Sequence, residues 1–124
     1  MLMRRRRFEA LVRRALATLP PDLGRMLDNV AIVVEDWPSA EELREAGVGP
    51  EETLFGLYVG IPLTERTTSY GLVTPDRIVI YQGPLEEANR TMIELEAEVR
   101  VTVIHEVAHH FGISDARLEE LGWG

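Results

Sequence analysis

Val101-Thr102-Val103-Ile104-His105-Glu106-Val107-Ala108-His109-His110-Phe111-Gly112-Ile113-Ser114-Asp115 is the stretch that organises this chain. Its centre reads H-E-x-x-H-x-x-G-x-x-D. Helical residues turn by about 100° each, so His105 and His109 differ by about 40° and share a face. Two imidazoles so placed can hold one zinc ion, each with its second ring nitrogen held by an acceptor. Glu106 lies about 100° round the helix from His105. That is too far for an obvious ligand, but within reach of a zinc-bound water as general base, and then of a leaving amine as proton donor. Gly112 tolerates left-handed backbone and lets the chain leave the helix and turn back. Asp115 then arrives as a carboxylate third ligand. Two histidines and one carboxylate leave zinc's fourth position open, the pattern of a catalytic rather than a structural site.

Plainer readings compete with this one. A histidine pair at i, i+4 can be a solvated surface feature, and Asp115 could cap the final helix, although Ser114 is also competent to do so. The apolar residues Val101, Val103 and Ile104 just before the motif imply a buried helix, where an unpaired His-Glu-His set would be costly. That favours metal binding. His110 faces away from the ion and is expected as a surface or supporting histidine. Glu94 and Glu98 fall within about 20° of His105, one or more turns earlier, and are expected to form a solvated acidic face. Glu119 is expected as an exposed helix charge, and Trp37 and Trp123 as core or terminal packing.

Outward from the motif, the elements alternate. Phe8, Leu11, Val12, Ala15, Leu16 and Leu19 recur at helical spacing until Pro20-Pro21 stops them. Asn29 to Glu35 is a short, β-branched apolar run that fits a buried strand. Ser39 can cap a short acidic helix over Ala40 to Ala46, and Gly47 to Pro50 reads as a loop. Leu54 to Ile61 reads as a second strand, with Gly56 and Gly60 marking a bulge or a close approach. Thr64 to Ser69 is polar and expected to be exposed, and Tyr70 to Val73 could form a short edge strand. Thr74-Pro75-Asp76 turns the chain into Arg77 to Tyr81, the third clear strand, which Gly83-Pro84 ends. A helix is expected from Leu85, broken near Asn89 to Thr91, then running through the motif to Phe111. A last short helix covers roughly Asp115 to Leu121. The expected fold class is α+β: one small mixed sheet with the metal helix packed on one face.

The 124 residues fit a single domain, 1–124, large enough to bury a core. There is no cysteine, so any zinc is held by nitrogen and oxygen, and a cytoplasmic location is expected. A formal net charge of −8 disfavours nucleic acid and anionic membrane as partners. The local exception, Arg4 to Arg7, flanks an amphipathic helix too charged for a secretory signal. No later segment is apolar enough to span a bilayer.

The motif His105 to Asp115 resembles a zincin motif of the aspartate-ligand type. Gly56 to Thr64, Pro75 to Ile78 and Arg117 to Trp123 resemble a family of small bacterial zincin-like metallopeptidases, and the similarity covers most of the chain. The resemblance implies a minimal zincin fold: a small sheet, an N-terminal helix and the active-site helix. It also implies His105, His109 and Asp115 as metal ligands and Glu106 as catalytic base. One departure stands out. Metzincins carry a methionine-containing turn after the third ligand, and Ala116 to Gly124 holds no methionine.

The expected function is therefore zinc-dependent hydrolysis of peptide bonds, with a peptide or protein substrate paired to an edge strand. The alternative is a non-catalytic metal-binding interaction module on the same scaffold, favoured by the short tail and disfavoured by Glu106. A metal-dependent ribonuclease fits less well, given the acidic charge, Glu106 and Asp115.

Overall fold

The computed structural model describes residues 3–19, 21, 27, 30–48, 54–60 and 76–120, without the side chains of Asp115 and Leu118. The elements run α1 (Arg5–Ala17), β1 (Ala31–Glu35), α2 (Ala40–Glu45), β2 (Gly56–Val59), β3 (Arg77–Tyr81), α3 (Gln82–Ala88), α4 (Met92–Phe111) and α5 (Asp115–Glu120). The fold is α+β, as the sequence implies. The expected exposed stretch at Thr64 to Ser69, the edge strand at Tyr70 to Val73 and the packing role of Trp123 lie outside the described residues.

The three strands form a mixed sheet in the order β1-β3-β2. β1 runs parallel to β3, with Ile32 opposite Ile78 and Val34 opposite Ile80. β2 runs antiparallel to β3, with Gly56 opposite Ile80 and Tyr58 opposite Ile78. Strand side chains alternate between faces, so Ile32, Val34, Gly56, Tyr58, Ile78 and Ile80 share one face. The core forms there: Ile78 and Ile80 meet Phe8, Leu11, Val12 and Ala15 of α1 and Leu95, Val99, Val103 and Val107 of α4. The apolar residues of α1 recur at helical spacing, and each fully buried Val, Leu or Phe is worth about 1.5–3 kcal/mol.

Three local readings change. The first helix begins at Arg5 rather than Phe8, because arginine is a good helix former and Arg5 is held in place. Its guanidinium donates to Gln82 Oε1 (2.9 Å) and to the Val34 carbonyl (2.6 Å), and pairs with Asp36. The third helix begins at Gln82, directly after β3, so Gly83 and Pro84 open a helix instead of ending a strand. The first-turn N–H groups of a helix lack internal partners, so proline is tolerated there. The Gly83 N–H instead donates to the Asp36 carbonyl at 2.8 Å. Trp37 is not core: it is 56% exposed, lying over Gly83, where any side chain would collide with its ring.

The two helix starts read from Ser39 and near Asn89 to Thr91 take shape as capped ends. Ser39 and Glu42 form a reciprocal capping box at the start of α2. Thr91 accepts from the Glu94 N–H at 3.1 Å at the start of α4. No helix of the described residues is long and apolar enough to cross a membrane.

Candidate metal centre

The helix that carries the motif is fixed at both ends. Thr91 caps its start, and its end is a left-handed turn at Gly112 (φ 73°, ψ 25°). The Gly112 N–H returns to the His109 carbonyl at 3.1 Å and the Ile113 N–H to the Ala108 carbonyl at 2.8 Å. This paired reversal is the Schellman arrangement, which satisfies orphan carbonyls and redirects the chain. Ser114 follows and accepts from the Arg117 N–H at 3.2 Å, so it caps α5. Asp115 is therefore the first residue inside α5 and is not required as its cap.

His105 and His109 lie one turn apart on this helix, His105 partly exposed and the His109 side chain 50% exposed. Glu106 is turned inward and 8% exposed. Its Oε1 lies 3.3 Å from His109 Nδ1. A carboxylate against one ring nitrogen is the usual arrangement for orienting a metal-binding histidine and raising its basicity. The motif carboxylate is thus already in contact with a ligand candidate, closer to the site than rotation around the helix alone suggests.

Gly56 explains how Glu106 comes to be covered. A Cβ at position 56 would lie 2.8 Å from Thr102 Cγ2, 3.1 Å from Glu106 Cγ and 3.2 Å from the Val79 carbonyl oxygen. The glycine marks a close approach of β2 to α4; the strand's pairing register shows no bulge. Thr102 also bonds back to the Glu98 carbonyl at 2.8 Å. Glu94 and Glu119 are exposed, as expected, and Glu98 is partly buried. Val101, expected to be buried, is 37% exposed because it faces away from both the sheet and α1.

Of the two roles expected for His110, surface or supporting, burial excludes the surface one. It is 2% exposed. Its Nδ1 lies 3.0 Å from Oδ2 of Asp76, which also accepts from the Tyr58 hydroxyl at 2.6 Å. In the sequence Asp76 reads only as a turn residue before β3. Gly60 is the available signal, since a Cβ there would lie 2.6 Å from Asp76 Cγ.

The donor set suits zinc in kind: two imidazoles on one helical face with a carboxylate alongside. Among the described residues no group of three ligand side chains converges, and the side chain of Asp115 is not among them.

The chain resembles the solved structure of a conserved hypothetical protein from Thermo thermophilus at 25% identity. The match covers 94% of this chain and 95% of that one, with a TM-score of 0.57. No curated protein matches the sequence. The family model described as zincin-like metallopeptidase matches residues 27–123, which takes in all three strands, the motif helix and the turn to Asp115, and the chain belongs to that family.

Proposed function

We propose that this protein is a zinc-dependent peptidase, with His105, His109 and Asp115 holding the metal and Glu106 acting as general base. The observation that carries this reading is the placement of Glu106. It is nearly buried, lies against His109 and is covered by the side-chain-free segment of β2 at Gly56. A carboxylate kept close to the ligand positions without occupying one can act as base on water at the metal's open position. When bound, zinc would supply Lewis acidity that polarises a carbonyl and eases deprotonation of water.

The chain's own residues do the rest. Glu106 takes a proton from the attacking water and hands it to the leaving amine nitrogen. The shielded position of its carboxylate strengthens its interactions with charge that develops in the transition state. β2 is an edge strand among the described residues, and a peptide or protein substrate in extended form can pair with such an edge. The reading places the enzyme in the cytoplasm, as a cysteine-free composition permits.

The test is a diverse peptide library digested by zinc-loaded protein and by Glu106→Gln. Wild type should cleave, and the variant should keep zinc and lose at least about 100-fold in rate. No cleavage by the zinc-loaded wild type would defeat the peptidase reading. It would favour the alternative, a metal-binding interaction module on the same scaffold.

A further inference from the structure

The buried polar side chains of α4 are Thr102, Glu106 and His110. They fall at i, i+4 and i+8, one stripe on the side of the helix that meets β2. The strand answers with Gly56 beneath Thr102 and Glu106, and with Tyr58 beside His110, their ring centroids 5.7 Å apart. The apolar residues Leu95, Val99, Val103 and Val107 bind the same helix to the core along its length. The helix thus has an apolar grip throughout and a polar grip added at its motif end.

That polar grip is directional. Asp76 is anchored to the sheet through its own backbone: it immediately precedes β3, and its carbonyl accepts from the Ala31 N–H at 3.1 Å. Its carboxylate receives the Tyr58 hydroxyl and lies against His110 Nδ1. The side chains of Asp76 and His110 are 1% and 2% exposed. Phe111 packs edge-on against the His110 ring, with centroids 5.0 Å apart. Burying a carboxylate and an imidazole is costly even when they are paired, and apolar side chains would hold a helix to a sheet as firmly. Apolar contacts tolerate sliding and rotation, whereas a short hydrogen bond fixes angle as well as distance.

We propose that Asp76, His110 and Tyr58 are positioning residues for the metal-ligand turn, an inference that rests on the metal-centre reading above. His109 and His110 are consecutive, so a ring locked at 110 sets the azimuth and height of the ligand at 109. It also sets the start of the Gly112 reversal that leads to Asp115. Tyr58 lies on β2 and Asp76 just before β3, so the network indexes the ligands to the edge strand where substrate would pair.

The experiment compares Tyr58→Phe and Asp76→Asn with Val99→Ala, a truncation in the apolar stripe of the same helix, away from the motif end. Two readouts are taken that general destabilisation would not move selectively. In metal-free protein, backbone hydrogen exchange at Gly112 and Ile113 should rise at least about 10-fold in the two polar variants, while exchange at the Leu95 to Val103 amides holds. In the metal-loaded protein, Zn2+ affinity should weaken by about 10-fold or more, with altered Co2+ d–d absorption. Val99→Ala should lower the melting temperature and leave both readouts as in wild type. Equal effects from Val99→Ala, or no effect from Asp76→Asn on either readout, would overturn the proposal. A wild type that binds no Zn2+ would instead overturn the metal-centre reading, and the exchange measurements would still decide whether the tether exists.

Discussion

Gly56 sits directly under Glu106, so close that a single methyl group at position 56 would press on the glutamate's Cγ at 3.1 Å and on Thr102 Cγ2 at 2.8 Å. The edge strand and the motif helix therefore meet through a missing side chain. Gly56→Ala must push β2 away from α4 or displace Glu106. The expected cost is about 1–3 kcal/mol of stability, as for overpacking elsewhere. Peptidase activity should fall more steeply than that loss of folded protein explains. Thermal melts set beside activity per folded molecule would check this, and unchanged activity would mean that the spacing at 56 is not catalytically relevant.

Metal stoichiometry should be about one zinc per chain, through two imidazoles and one carboxylate. His105→Ala and His109→Ala should each abolish binding, as read by elemental analysis of protein purified without chelators. Full zinc retention in the double variant would refute the assignment of the motif.

Asp115→Asn tests the proposed third ligand. Ser114 already caps α5, so the substitution should leave helix and fold intact by circular dichroism. It removes the anionic oxygen, and zinc affinity should weaken by about 10-fold or more in a chelator competition. Unchanged affinity would place the third ligand elsewhere.

The capping box at α2 makes a prediction in pH. Burial opposes ionisation of Glu42, but the hydrogen bond from the Ser39 N–H, with the Tyr81 hydroxyl, the Ser39 side chain and Arg77 nearby, outweighs it and holds its carboxyl below the usual 4.5. Burial, with that carboxylate beside it, pushes the Tyr81 phenol well above its ordinary range. A carboxyl depressed by folding stabilises the folded state above its unfolded value, and that stability is lost as pH falls through the folded value. Glu42→Gln should therefore cost about 0.5 kcal/mol near pH 7 and almost nothing near pH 3. Denaturant titrations at the two pH values provide the check, and a cost that does not shrink in acid would show that the charge is not what matters.

The metal helix, its glycine stop and the strands at β1, β2 and β3 are legible in the sequence because each is signalled locally, by period, cap or turn chemistry. Ser39 and Gly112 announce their roles for the same reason. What stays hidden is long-range. Arg5 is held at the start of its helix by Gln82 and Val34 of β1, which receive its guanidinium. Asp76 looks like a turn residue because its partner, His110, is 34 positions away. His110 looks like a surface histidine because no sequence period distinguishes a ring facing solvent from one facing a buried carboxylate. Glycines at 56 and 60 hint at close approach but cannot say to what.

The Arg5 cluster carries a consequence for synthesis. Met3 and Arg5 close their contacts on Glu86 and Gln82, which are 83 and 77 residues downstream. Arg14 waits for Glu96, a further long reach. Chains emerge N-terminus first, so α1 leaves the ribosome before Ile78, Ile80 and the motif helix, which cover its apolar face, have been made. Closure across such separations is entropically slow, and α1 should commit to the fold only as the motif helix emerges. During that interval the exposed arginines of α1 should oppose association of its bare apolar face with neighbouring chains.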